Sequence, residues 1–363
     1  MKNISKAGLG AVGVILLTLF QGTVAQADVQ PQAADVVGVG SDTVQFGMDF
    51  LADGDVGGDP GFNATNQTRR ALNFDATGDA CGGVTTNATV VLRANSKPVV
   101  RPNGSGSGIT ALLADTGATE QINYVRSSRL PSTTEQQAAT NNGWGGLHVY
   151  QFATDGLQMM VSNTVTSDAP NSLPVSVLVG IYQGSITTWG AVPGYSGPAP
   201  LATIHPFIPQ AGSGTRNFFL ADLQAANGGT AIVLGTNVQQ MQEHDPTPIK
   251  ADPDAIGPMS TGRASVLNTG YCGPANQNVI KLLTAAGTYS TSRGLFILVR
   301  QRDVADHTGI GGIGFPWQVG GTKNWVETLF SGPTSWVARS ANAPLISAAG
   351  LVQSYSDMGL AHS

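Results

Sequence analysis

Three short turns combine glycine with serine or threonine, and each stands between an apolar segment and the start of a predicted helix. They are Gly40-Ser41-Asp42-Thr43, Gly104-Ser105-Gly106-Ser107-Gly108 and Gly212-Ser213-Gly214-Thr215. A helix start offers unpaired N–H groups and the positive end of a helix dipole. Glycine lets the backbone approach a ligand closely, and hydroxyl side chains add further donors. Three such turns around one ligand would hold an oxyanion by hydrogen bonds alone.

The elements that must position these turns alternate between strands and helices, which predicts an α/β fold. Apolar runs predict strands at 35–40, 89–93, 122–125, 156–161, 204–208, 255–257 and 294–299. Helices are expected at 44–51, 109–113 and 216–220, the first of them capped by the 41–43 turn. The stretch 52–83, rich in Gly, Asp and Asn, predicts a long surface excursion. In open α/β sheets ligands collect at the carboxyl ends of strands, where the turns would lie.

The composition limits the classes of partner. Only 11% of the 363 residues are charged, the formal net charge is -5, and 47 residues are glycine. Without a basic field, nucleic acid is not an expected partner. Recognition through hydroxyls and backbone amides is the mode that this composition favours.

The N-terminus has the three parts of an export signal. Lys2 and Lys6 precede an apolar run at 7–20, and Ala25-Gln26-Ala27 is an A-x-A cleavage site. The run is too short for a membrane span, which needs ~20 apolar residues. We therefore expect residues 1–27 to be removed and the protein to be secreted, extracellular or periplasmic. No cysteine stands at the cleavage site, so no lipid anchor is expected there.

The chain has two cysteines, Cys81 and Cys272. In an exported protein an even count favours one disulfide over two separate thiols. Such a bond would close a long loop, and it could join two lobes of the molecule.

The sequence offers no enzyme signature. None of the Ser-Gly turns fits G-x-S-x-G, and no phosphate-binding G-x-x-x-x-G-K-[ST] motif occurs. The five histidines are isolated, so neither a metal site nor a cofactor is expected. The cluster Glu243-His244-Asp245 lies in a polar stretch and is interpreted as a solvated loop.

The order of the turns resembles the phosphate-binding (PstS-like) family, the solute-binding components of ABC importers. Ser105 falls on the serine of the family's second turn, and Ser213, Gly214 and Thr215 fall on its Ser-Gly-Thr turn. The segment 181–189 is similar to the family's I-Y-x-G-x-I-x-x-W, in which Trp189 would be a packing residue. The resemblance covers most of the mature chain, most strongly 36–299.

Two family residues are replaced in this sequence. Pro209 stands where the family has an arginine, and Ser128 where it has the aspartate that accepts the proton of monohydrogen phosphate. Either Asp42 or Thr43 aligns with the threonine of the first turn. Asp42 could supply the missing acceptor, or it could cap a helix.

The missing cation has four candidate replacements. Arg126 and Arg129 flank the third strand's turn and are the first two; Arg101 and Arg216 occupy more ordinary surface positions.

The resemblance implies a two-lobed type II periplasmic-binding-protein fold with a ligand cleft. Lobe one would comprise 28–155 and 297–363, and lobe two 156–296. The implied function is capture of phosphate or a similar oxyanion by a monomer for delivery to an ABC permease. The alternative is a released extracellular protein, a scavenger or surface component without a permease. The expected ligand-binding residues are Ser41, Asp42, Thr43, Ser105, Gly106, Arg126, Ser128, Arg129, Ser213, Gly214 and Thr215.

Overall fold

The structure, a computed structural model, describes residues 29–78, 81, 89–117, 120–304, 306 and 323–363. The predicted export signal at 1–27 lies outside these residues. Within the described ranges, no helix has both the length and the apolar character needed to cross a membrane.

Strands and helices alternate along much of the chain. The strands are β1 (Val36–Gly40), β2 (Ala71–Asn73), β3 (Thr89–Val90), β4 (Val99–Val100), β5 (Tyr124–Ser127), β6 (Leu147–Ser162), β7 (His205–Pro209), β8 (Gln239–Met241), β9 (Ala255–Ser260), β10 (Ile280–Leu282), β11 (Ser290–Arg300) and β12 (Val352–Gly359). The α-helices are α1 (Gln45–Asp53), α2 (Ser105–Ala114), α3 (Thr133–Asn141), α4 (Val175–Gln183), α5 (Gly214–Ala226), α6 (Thr247–Lys250), α7 (Thr261–Thr269), α8 (Trp325–Leu329) and α9 (Ala343–Ala348).

One mixed sheet runs through the described chain in the order β2-β1-β5-β11-β6-β9-β7-β8, with β10 and β12 paired to other parts of β6. β1 is parallel to β2 and β5, and β7 is parallel to β8 and β9. Between these two parallel groups lie β11 and β6, which are antiparallel to each other. The carboxyl ends of the two parallel groups are the positions where α/β sheets place ligands. The predicted α/β class is confirmed.

The long strands β6 and β11 connect two apolar cores. One core is built from β1, β5, α2 and the parts of β6 and β11 nearest to them. Another consists only of residues within 157–289, including α4 and α5. A third core contains residues of both regions. The register of β11 against β6 shifts between Leu295 and Phe296, next to the predicted boundary at 296/297. The division into lobes stays a prediction.

Three local predictions were wrong. The second strand of the main sheet is β2, inside the stretch expected to be a surface excursion. Residues 89–90 instead form a separate two-stranded sheet with β4. α2 begins at Ser105, four residues before the expected helix start, and its N-cap residue is Gly104, whose φ of 97° favours glycine.

Two other predictions are confirmed. Cys81 and Cys272 form a disulfide across a sequence separation of 191 residues. Trp189 is fully buried, and its indole Nε1 donates to Asp254 Oδ1 at 2.7 Å, so it is a packing residue.

Candidate functional site

The predicted turns meet at one place, at the carboxyl ends of β1, β5 and β7 and the start of α2. The Oγ1 atoms of Thr43 and Thr215 are 3.0 Å apart. The Oγ atoms of Ser105 and Ser128 are 3.2 Å apart. We call the buried hydroxyl residues of these turns the cradle: Ser41, Thr43, Ser105, Ser128, Ser213 and Thr215. The structure therefore brings together side chains up to 172 residues apart in the sequence.

The turn before α5 leaves no space for a side chain. Ser213 caps the helix, since its Oγ accepts from the N–H of Arg216 at 3.0 Å. A Cβ added at Gly214 would lie 2.3 Å from the Oγ atoms of both Ser105 and Ser128. Only glycine lets the 212–215 turn approach Ser105 and Ser128 this closely. The N–H of Gly106 also donates to the carbonyl of Gly212 at 3.0 Å, which closes the turns on each other.

Asp42 is not a helix cap, contrary to one of the two alternatives. α1 begins at Gln45, and its N-cap residue, Val44, makes no side-chain capping bond. Asp42 Oδ2 instead lies 2.9 Å from His244 Nδ1, with both side chains buried. Asp42 Oδ1 and the neighbouring Ser41 Oγ are buried and have no hydrogen-bond partner among the described residues. A buried acceptor and a buried hydroxyl thus remain available beside the cradle.

The carboxylate of Glu243 lies within the cradle. Its Oε1 accepts from the N–H of Thr43 at 3.2 Å and from Thr43 Oγ1 at 2.7 Å, and its Oε2 accepts from Ser213 Oγ. Because the Thr43 hydroxyl donates its one proton to Glu243, Thr215 must be the donor to Thr43. Hydroxyls and an amide of two predicted turns therefore already bind an anionic group.

The interpretation of Glu243-His244-Asp245 as a solvated loop was wrong. These side chains are 3%, 1% and 4% exposed. The segment directly follows β8, which is parallel to β7, so it lies at the same edge of the sheet as the cradle. The strand Gln239–Met241 has no apolar alternation, and the signal that would have revealed this position is therefore weak in the sequence.

The two arginines predicted to supply the cation bind other groups. Arg126 is fully buried and donates to the carbonyls of Ser41 at 3.0 Å and Gly40 at 3.2 Å. Burial lowers the pKa of Arg126, while the charge of Asp49 acts in the opposite direction. Arg129 forms a two-bond ion pair with Glu135, at 2.7 and 2.8 Å. Arg126 therefore fixes the backbone of the first turn from behind.

The other two arginines considered from the sequence, Arg101 and Arg216, also bind backbone carbonyls. Arg216 donates to the carbonyl of Pro209 at 3.0 Å, and Arg101 donates to the carbonyl of Asp75 at 3.2 Å. Arg263 was not considered from the sequence. It is buried over the ring of Phe46, its pKa is lowered by burial, and the charge of Asp42 opposes that shift. Arg263 is thus a buried positive charge that balances Asp42.

A separate pocket of about 280 Å³ is acidic. Asp49, Asp53 and Asp75 line it, and Asn73 connects it to Arg126. Burial, and then the charge of Asp75, raise the pKa of Asp49. Three carboxyl groups repel an oxyanion, so this pocket is not the anion site. Across the described ranges, no group of three His, Cys, Asp or Glu side chains could hold a metal ion.

A family model and several solved structures match this chain. Residues 76–313 match the model of the PBP superfamily domain. No curated protein matches the chain by sequence.

Three similar structures illustrate the fold. A phosphate ABC transporter substrate-binding protein from Clostridium perfringens, solved with bound phosphate, has a TM-score of 0.55 at 16% identity over 88% of this chain and 99% of its own. A DING protein has a TM-score of 0.53 at 16% identity over 88% and 90%. An ABC-type phosphate transport receptor from Vibrio cholerae has a TM-score of 0.50 at 18% identity over 88% and 100%.

At these identities the structures show the fold, and the family model covers more than half of the chain. Both agree with the mixed sheet and with the meeting of the turns at the carboxyl ends of its parallel strands. The chain belongs to the periplasmic-binding-protein (PBP) superfamily.

Proposed function

We propose that this protein is a solute-binding protein that captures phosphate or a similar oxyanion in the cradle. The observation that carries the proposal is the binding of a carboxylate there. Thr43 and Ser213 together give three hydrogen bonds to the two oxygens of Glu243. A phosphate oxygen accepts the same bonds, and the dipoles of α2 and α5 favour its charge. No catalytic step is proposed.

Phosphate is the first expected ligand because an acceptor accompanies the donors. Monohydrogen phosphate keeps one proton, which a carboxylate can receive, whereas sulfate has none at neutral pH. The buried Asp42 Oδ1, to which no donor is directed within the part of the chain that the structure describes, is a candidate acceptor. The two solved relatives described as phosphate transport proteins support the same ligand class.

The cellular setting is proposed from the sequence and the family. The chain would be exported with loss of residues 1–27, act as a monomer and present its ligand to an ABC permease. Mass spectrometry of the exported protein should show a start near Asp28. Fractionation of cultures distinguishes a protein retained at the cell from a released scavenger. Release of the protein into the medium, in a cell without a matching permease, would favour the scavenger function.

Isothermal titration calorimetry tests the ligand. The protein is unfolded, stripped of phosphate and refolded, and it is then titrated with phosphate, sulfate and arsenate. We expect phosphate and arsenate to bind, and Thr215→Val to weaken both. Ser335→Ala is the control, because Ser335 is buried outside the cradle and its hydroxyl donates to the carbonyl of Gly332. Absence of binding heat for all three anions would refute the proposal.

A further inference from the structure

The segment 242–244 contacts two loops of predicted lobe one through three successive side chains. Asn103 Nδ2 donates to Gln242 Oε1 at 2.7 Å. Glu243 accepts from Thr43, as described, and His244 pairs with Asp42. We call residues 242–244 the latch segment. It belongs to predicted lobe two, so all three contacts cross the predicted cleft.

The latch segment is held firmly on its own side of the cleft. Within predicted lobe two, the N–H of Glu243 donates to Gln210 Oε1 at 3.0 Å. Gln210 Nε2 donates in turn to Asn103 Oδ1 at 2.9 Å, which is a further contact across the predicted cleft. After the latch, the N–H of Asp245 donates to the carbonyl of Gln242 at 3.1 Å, which forms a tight turn. The Glu243 carboxylate is therefore fixed in direction by hydrogen bonds before and after it.

The position of Glu243 is incompatible with a second anion on the same donors. Each hydroxyl has one proton to donate, and the protons of Thr43 Oγ1 and Ser213 Oγ are both directed to Glu243. An oxyanion bound to these donors would also lie against a buried carboxylate, at a separation where like charges repel strongly. Glu243 and an external oxyanion must therefore compete.

We propose that Glu243 is a built-in ligand, which occupies the cradle and keeps the cleft closed when no oxyanion is bound. This inference rests on the proposed function for the identity of the competitor, whereas the contact of Glu243 with Thr43 and Ser213 belongs to this chain alone. An arriving oxyanion displaces the carboxylate and inherits its hydrogen bonds. The protein can bind an external oxyanion only while Glu243 is out of the cradle. The more stable the internal contact is, the smaller this fraction of the protein and the weaker the apparent affinity for the oxyanion.

Substitution of Glu243 changes phosphate affinity in opposite directions for its two conceivable roles, as a competitor of phosphate or as an acceptor of the phosphate proton. If Glu243 competes, Glu243→Gln and Glu243→Ala should each tighten phosphate binding in calorimetry at least tenfold. If the carboxylate instead receives the phosphate proton, both variants should weaken binding, and that result would overturn the proposal. Asp245→Asn is the matched control. It removes the same charge two residues away, and Asp245 Oδ1 accepts only from the N–H of Thr247, outside the cradle.

Hydrogen exchange separates failure of this inference from failure of the proposed function. The N–H of Thr43 is bonded to Glu243, so in phosphate-free protein it should exchange slowly in the wild type and in Asp245→Asn. In Glu243→Ala its exchange should be at least tenfold faster. Equal exchange rates at Thr43 in all three proteins would refute the built-in ligand, even if none of them binds phosphate. Lack of phosphate binding together with the expected exchange pattern would refute the oxyanion function and keep the internal contact.

Discussion

Asp155 and Arg293 face each other on β6 and β11, with Asp155 Oδ2 3.1 Å from Arg293 Nη2. Both side chains are almost completely buried. The other oxygen, Asp155 Oδ1, accepts from Ser260 Oγ at 2.9 Å and from the N–H of Gly262 at 3.1 Å, at the start of α7. This ion pair connects both long strands to α7 beside the predicted boundary at 155/156.

Loss of the Asp155 charge should destabilise the protein strongly. Asp155→Asn would leave the Arg293 guanidinium buried without its counter-charge, which costs about 3–5 kcal/mol in free energy of unfolding. Urea denaturation measures the change. The control is Asp357→Asn, because Asp357 pairs with His148 through a side chain that is 43% exposed, and its loss should cost less than about 1 kcal/mol. Equal effects of the two substitutions would contradict this role for Asp155.

Ser213 and Thr215 should differ in their effect on stability. Ser213 Oγ caps α5, so Ser213→Ala should lower the free energy of unfolding by about 1 kcal/mol. Thr215→Val removes only the hydrogen bond to Thr43 and should cost less. Each variant should weaken phosphate binding by about 1–3 kcal/mol, since a buried charged acceptor loses a donor. Calorimetry and urea denaturation give both values. Unchanged affinity in both variants would show that the ligand binds elsewhere.

Asp42 should determine the ratio of phosphate to sulfate affinity. One of its oxygens faces His244, and the other has no hydrogen-bond partner in the described ranges. Asp42→Asn removes a negative charge that repels sulfate. It also removes the carboxylate that would accept the phosphate proton. We expect sulfate affinity to rise relative to phosphate, measured by titration with each anion. Strong selectivity for phosphate that survives the substitution intact would rule out this role.

Asp303 should make stability depend on pH. Burial, and then the charge of Glu120, raise the pKa of Asp303 to about 7, above its ordinary value of 3.8. Between these two pH values the folded state holds a proton that the unfolded state has released. The free energy of unfolding should therefore fall as the pH rises from about 4 to about 7, by at most ~1.4 kcal/mol per pH unit from this group.

Urea denaturation across this pH range checks the slope. Asp303→Asn cannot ionise, so its free energy of unfolding should vary less with pH than that of the wild type. An identical pH slope in both proteins would show that Asp303 does not cause it.

The strand that ends at Gly40 and the turn at 213–215 were predictable because their signals are local. The apolar run before Gly40 and the Ser-Gly-Thr turn at 213–215 each contain the physical cause of their own structure. The meeting of the turns then follows from the general rule for parallel strands. The disulfide followed from the count of cysteines.

The environments of Glu243 and Arg126 could not be predicted from the neighbouring sequence. Glu243 is buried because donors 30 and 200 residues away satisfy its carboxylate, and no pattern near position 243 encodes them. Arg126 was expected to face the ligand because it adjoins the turn. It binds backbone carbonyls instead, because β5 pairs Arg126 with Gly40 at the end of β1, next to the carbonyl of Ser41. The hydrogen-bond partners of both side chains are distant in the sequence and come close only in the folded chain.

The disulfide between Cys81 and Cys272 has a mechanical consequence. A force applied to the two ends of the chain passes through the sulfur atoms and not through the segment 82–271 that they enclose. That segment contains both β6 and the latch. Single-molecule stretching would therefore leave it unextended in the oxidised protein, and reduction would release about 650 Å of additional contour length at ~3.4 Å per residue. The disulfide thus shields Ser105, Ser128, Ser213 and Thr215 from an applied force, whereas Ser41 and Thr43 precede Cys81 and remain under load.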